Sequence, residues 1–119
     1  MGSEFAYEDL SSQEVEKYTY NFLGEDQIGE GSSLKVERFP VDTKSGYSRQ
    51  IVWYNPSKGY RIEKVEFYDR KNAHMKTLIY NSYRQYLGKY WRAGEMIMTN
   101  HQTNKETQLI FEDYQFQNG

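Results

Sequence analysis

The chain has no cysteine, and only two prolines and two histidines among its 119 residues. The missing cysteine excludes disulfides, thiol catalysis and cysteine-ligated metals, and identifies no compartment. No apolar run approaches the roughly 20 residues that span a bilayer as a helix. No secretory leader opens the chain. Residues 1–5, MGSEF, have the character of a cloning scar, which sets them apart from a single domain over 6–119 and leaves the missing leader uninformative about location. Charge of one sign is also scarce, with a net of -2. It is unevenly spread. Eight of the 17 acids stand in residues 1–30 beside a single base, Lys17, and the remaining nine acids face 14 of the 15 bases, a surplus of five positive charges. That surplus is too dispersed for a nucleic-acid footprint, though it permits mild attraction to anionic head groups.

Catalytic patterns are missing as well. His74 and His101 are distant in sequence, and each sits beside a turn without the spacing of a metal-binding helix. GEGSSLK lacks the Gly-Lys-Ser/Thr ending of a phosphate loop, and no G-x-S-x-G elbow occurs. The carboxylates stand outside apolar runs that would raise their pKa for acid catalysis. The expectation is no catalytic residue, no metal and no cofactor.

What the chain does have is aromatic residues, 17% of the total, with 12 Tyr and 6 Phe. Mean hydropathy is low, -0.97, yet disordered chains are poor in aromatics, and a Tyr-rich composition favours strands. One domain with a modest core fits this length. A capping box, Ser11 with Glu14, predicts one helical turn. Alternation at Tyr18, Tyr20 and Phe22 predicts a strand over 17–23, and GEDQIGEGSS reads as turn-rich. Further strands are predicted over 33–39, 47–55, 62–69, 74–86, 90–100 and 105–116. They are separated by PSKG, with Asn55 first in the turn, by residues 70–73, by LGK and by HQTN. The fold class is mainly β: an antiparallel meander of about seven strands, forming a curved sheet or an incomplete, half-open barrel, with at most a short N-terminal helix.

Strand parity groups the apolar side chains. Val65 pairs with Phe67, Leu78 with Tyr80, Met96 with Met98 and Leu109 with Phe111, while Ile51 and Trp53 share another such face. They are either an ordinary core or the wall of a site for an apolar ligand, and paired methionines suit variable apolar partners. Lys58, Arg61, Lys64, Arg70, Lys71 and Lys76 concentrate near one hairpin. They read as a solvated face that also protects strand edges, or as a contact surface for an anionic membrane or partner.

GYSRQIVWYNPSKGYRIEKVEFYDRKNAHMKTL followed by YWRAGEMIMTNHQTNKETQLIFEDYQF resembles the C-terminal half of the outer-membrane lipoprotein-sorting (LolA-like) proteins. The resemblance is carried by Trp53, by KVEFYD at 64–69, by MTNHQT at 98–103 and by FEDYQF at 111–116. YEDLSSQEVEKYTY is similar to the segment that precedes these, so it spans about residues 7–117. It implies a half-open barrel whose concave side receives lipid acyl chains in the bacterial periplasm, in a carrier without catalysis. Members of this branch are often associated with membrane exporters. The resemblance also implies that the N-terminal half of the family domain is absent, so that 6–119 is a truncated LolA-like domain. The ligand-binding residues expected on the concave face are Trp53, Val65, Phe67, Leu78, Tyr80, Met96, Met98, Leu109 and Phe111. Partners would be lipid or lipoprotein acyl chains and an exporter or outer-membrane receptor. The rival reading is a protein-interaction module that uses exposed sheet edges, including a homodimer through Tyr18, Tyr20 and Phe22.

Overall fold

The computed structural model of the protein describes residues 17–28, 31–88 and 90–110. The helical turn expected at Ser11 and the end of the last strand, with Phe111, lie outside them. The strands are β1 (Tyr18–Ile28), β2 (Gly31–Pro40), β3 (Tyr47–Asn55), β4 (Arg61–Asp69), β5 (His74–Asn81), β6 (Arg84–Tyr86), β7 (Tyr90–Arg92), β8 (Glu95–Asn100) and β9 (Lys105–Ile110). Seven of them form one antiparallel sheet in the order β1-β2-β3-β4-β5-β8-β9, which does not close on itself, and β6 pairs with β7 alone. Chain order is sheet order because each connection is too short to do anything but turn back.

Two expectations need correction. The turn-rich reading of GEDQIGEGSS fails over Gly24–Ile28, which continue β1 after a bulge at Leu23. The long strands expected over 74–86 and 90–100 each break in two. Ser82 adopts φ 56, and the Gly94 amide donates to both the Asn81 and Ser82 carbonyls. The ladder between β5 and β8 stops there, and β6 and β7 leave the sheet as a separate ribbon. A Cβ on residue 94 would stand 2.9 Å from the Ser82 carbonyl oxygen, so only glycine fits this crossing.

The two hairpins between β3 and β5 follow local chemistry. Asn55 accepts from the Ser57 amide and caps a 3-10 turn, Pro56–Lys58, which Gly59 ends at φ 69. Asp69 Oδ1 accepts from the Lys71 and Ala73 amides, an Asx-type turn closed by Asn72 at φ 66.

Register decides which side chains share a face. Val52 lies opposite Val65, Val65 opposite Leu78, and Leu78 opposite Met98. Phe67 and Tyr47 join them, their rings 4.8 Å apart. These six residues are the core, in which Val52 and Met98 are 0% exposed. Burying each such side chain contributes about 1.5–3 kcal/mol. Toward one end of this face the row turns polar but stays buried, with Gln50, Lys76 and Asn100. Arg38 Nε donates to Gln50 Oε1 at 2.8 Å, and Lys76 Nζ donates to the Tyr47 hydroxyl at 2.9 Å. The opposite face carries ion pairs, Arg49–Glu37 at 2.9 Å across β3 and β2 and Lys64–Glu66 at 3.4 Å along β4. Part-exposed pairs of this kind contribute about 0–1 kcal/mol each.

Candidate functional site

At its other end the core face changes character. Tyr54, Ile62, Tyr80 and Met96 are only half-buried and pack against the core from one side. Beyond them opens a cleft of about 380 Å³, lined by Tyr54, Ile62 and Tyr80 together with Tyr20, Arg38, Tyr60, Arg61, Tyr83 and Trp91. Tyr20 belongs to the edge strand β1 and Trp91 to the ribbon, elements that are not neighbours in the sheet. A sheet curled over this face, as the right-handed twist of long strands produces, brings them around one space.

Three local devices hold the walls. Tyr83 donates its hydroxyl to the Ile62 carbonyl, and its ring stacks on Tyr80 at 6.3 Å and meets Trp91 edge-on at 6.4 Å. The Arg61 guanidinium lies 4.1 Å from the Tyr83 ring and 4.6 Å from the Trp91 ring, while its Nε donates to Glu63 at 2.9 Å. The Asn55–Tyr60 turn brings Gly59 against Trp91, where a Cβ would stand 3.6 Å from the indole. Tyr60 follows at φ 60, with its amide held by the Asn55 carbonyl. That is a backbone state that a large side chain adopts at a cost. It leaves the ring 60% exposed at the rim.

The expected ligand residues divide. Val65, Phe67, Leu78 and Met98 share the face but are 0–3% exposed, beneath the surface that a ligand would meet. Tyr80 lines the cleft. Met96 lies opposite Tyr80, and Leu109 lies opposite Met96, both half-buried on the same side. Phe111 is outside the described residues. Trp53 requires a correction, because the register puts it on the opposite face, level with Lys35 and Lys64. Its Nε1 donates to Asp26 Oδ2 at 3.0 Å, and the Lys64 ammonium stands 4.7 Å from its ring. Parity within β3 separates Trp53 from Val52 and Tyr54, and the bulge at Leu23 brings Asp26 to the Trp53 side. The hydrogen bond from Trp53 is the main cause that holds the Asp26 carboxyl below its ordinary pKa.

The sequence reading missed Tyr54, Ile62, Tyr83 and Trp91 as lining residues. Ile62 follows Arg61 and precedes a bulge at Glu63, which shifts parity. Tyr83 and Trp91 lie in or beside the broken strands.

The basic residues do not form one patch. Lys58 and Arg61 reach the cleft region, Lys64 covers Trp53 on the other face, Arg70 donates to the Thr43 and Ser45 carbonyls, and Lys76 is buried. The two histidines, distant in sequence, meet in space. Their rings are 4.5 Å apart, and both Nε2 atoms contact Thr77 Oγ1, at 2.8 and 2.7 Å. Among the described residues no group of three His, Cys, Asp or Glu could hold a metal.

A family model described only as an uncharacterized protein matches residues 1–119. No curated protein matches the chain. Among solved structures, the fold is similar to a candidate outer membrane lipoprotein-sorting protein domain from Vibrio parahaemolyticus, with TM-score 0.92 and 54% identity over 95% of this chain and 48% of that one. It is also similar to a DUF1329 family protein from Desulfovibrio piger, with TM-score 0.80 and 22% identity over 90% of this chain and 44% of that one. A LolA superfamily protein from Nitrosomonas europaea matches with TM-score 0.76 and 20% identity over 97% of this chain and 55% of that one. The last two similarities establish the shared fold alone. The chain thus spans about half the length of the structures it matches. A sheet left open along one face and the likeness to the Vibrio domain converge: the chain belongs to the family whose model matches residues 1–119, and over 95% of its length it shares the fold and 54% of the sequence of that outer membrane lipoprotein-sorting domain.

Proposed function

We infer that the protein is a non-catalytic binding and carrier domain for lipid acyl chains or lipoproteins in the bacterial periplasm. The observation that carries this reading is the aromatic cleft on the core face of an unclosed sheet. It offers apolar walls at Tyr54, Ile62, Tyr80 and Trp91 without first dismantling the core beneath. Each CH₂ moved from water into such a site contributes about 0.8 kcal/mol, before the costs of immobilising both partners. A volume of 380 Å³ equals about a dozen waters at ~30 Å³ each. A methylene is of similar size, so the cleft suits one acyl chain rather than several. Binding and release would need no bond made or broken. A membrane exporter or outer-membrane receptor would serve as donor or acceptor.

Titration of delipidated protein with a fluorescent fatty acid tests this. Saturable, near-stoichiometric binding that weakens at least tenfold in Tyr80→Ala is expected. Unsaturable binding, or binding unchanged in that variant, overturns it.

A second reading, homodimerisation, has its own support. The outer edge of β1 has no partner strand among the described residues, and Phe22 on that strand is 62% exposed. Unpaired edges invite another strand. Sedimentation equilibrium without lipid decides: a single species at 14.2 kDa at tens of micromolar refutes the dimer.

A further inference from the structure

We propose that the cleft selects amphiphiles with an anionic head, seating the acyl chain against Ile62 and Tyr80 and the head group at Arg61 and Lys58. This rests on the carrier reading above and narrows its ligand class. A second cleft of about 570 Å³ adjoins the first and shares Arg61, Tyr80 and Tyr83 with it. Its further lining is mainly polar, with Asn55, Ser57, Lys58, Glu63, Asn81 and Ser82 beside the single aliphatic side chain of Ile28. An apolar space and a polar space therefore meet at one guanidinium, the arrangement that a molecule with a tail and a head requires.

Arg61 is prepared for an anion. Stacking on Tyr83 and Trp91 fixes the plane of its guanidinium, and Glu63 engages Nε. Neither Nη group has a hydrogen-bond acceptor among the described residues. A guanidinium whose plane is fixed and whose Nη pair is open matches the two oxygens of a carboxylate or phosphate. Its side chain is 18% exposed, so an ion pair made there is less screened than one on the open surface. Lys58 adds a second charge from the 3-10 turn, its ammonium 5.5 Å from the Trp91 ring. Among the charged residues that line the two clefts, Arg38, Lys58 and Arg61 are cationic, and the one carboxylate, Glu63, already accepts from Arg61 and Asn55. The balance attracts anionic heads and disfavours cationic ones.

Calorimetric titration with dodecyl phosphate, dodecyl maltoside and inorganic phosphate, each below any micelle concentration, tests the proposal on the intact chain. Dodecyl phosphate is expected to bind at least tenfold more tightly than dodecyl maltoside, and inorganic phosphate alone at least a hundredfold more weakly than dodecyl phosphate. The phosphate-to-maltoside ratio is expected to fall at least threefold in Lys58→Gln, whose side chain is exposed and outside the core. It should fall further in Arg61→Lys, which keeps the charge and loses the fork. A ratio near one in the unaltered protein overturns the head-group assignment and leaves the carrier reading standing. A ratio that survives both substitutions places the selectivity elsewhere and also overturns the assignment. Inorganic phosphate binding as tightly as the amphiphile would mean a free-anion site instead. Absence of binding by either amphiphile defeats the carrier reading itself.

Discussion

Val65 and Leu78 face each other across β4 and β5 and are 2% and 1% exposed. On the same two strands and the same side, Ile62 and Tyr80 stay half-buried beside an open cleft. In the middle of the face, branched aliphatics and Met98 form one buried cluster with almost no exposure. Toward the cleft, large flat rings and a guanidinium stand against one another edge-on or stacked, while the strands end or split away at Ser82 and Gly94. The contrast teaches that strong burial on the apolar face of an open sheet marks the support of a cleft. Its contact surface is marked by half-buried aromatics next to a break in the sheet.

Substitutions on either side of this boundary should separate stability from binding. The largest stability loss is expected for Leu78→Ala, which empties a fully packed position and should cost about 2–5 kcal/mol in denaturant unfolding, a large part of what a domain this size has to lose. An unfolding midpoint close to that of the unaltered protein would erase the distinction between support and site. Gly94→Ala comes next. Its Cβ would press on the Ser82 carbonyl at 2.9 Å, and the forced backbone shift should cost about 1–3 kcal/mol while displacing Tyr83. Trp91→Ala should do the reverse of Leu78→Ala, lowering the unfolding midpoint by less than half as much yet weakening fatty-acid binding more than tenfold. Equal effects on both measurements would show that the cleft aromatics are core after all.

The smallest effect concerns Asp69, on the turn at the far end of β4. Hydrogen bonds from the Ala73 backbone, and then from the Gln102 side chain, hold its carboxyl below the ordinary value of 3.8. A depressed folded-state pKa contributes stability that is present above the unfolded value and is lost as pH falls through the folded one. The stability gap between the unaltered protein and Asp69→Ala should therefore be constant from pH 7 to about 5 and shrink below pH 4, as read from urea midpoints. A gap that widens on acidification would contradict the assigned hydrogen bonds. Binding in this variant, remote from the cleft, gives the baseline for the other three.

Much of the molecule was legible in the chain itself. Alternation in IEKVEFYD and MKTLIY marks β4 and β5 and their buried parity, because side chains on a strand repeat every two residues. Asn55 with Pro56 and Gly59, and Asp69 with Asn72, write their turns locally through caps and left-handed backbone. Short connections then leave only a meander. Tertiary structure decided what alternation cannot carry from one strand to the next. Extra residues at Leu23, Ser48, Glu63 and Met75 shift the register between neighbours. Each such shift changes which parity faces the core. That is why Asp26 meets Trp53, and why Ile62 lies on the cleft side although it stands an odd number of residues from both Val65 and Phe67, a spacing that simple alternation assigns to the opposite face. Curvature did the rest: Tyr20, Arg61 and Trp91, on three elements that share no ladder, surround one space because the sheet bends over a single face. A meander of long strands predicts that the sheet bends, but which side chains the bend gathers depends on the assembled sheet and its twist, so no stretch of sequence names them.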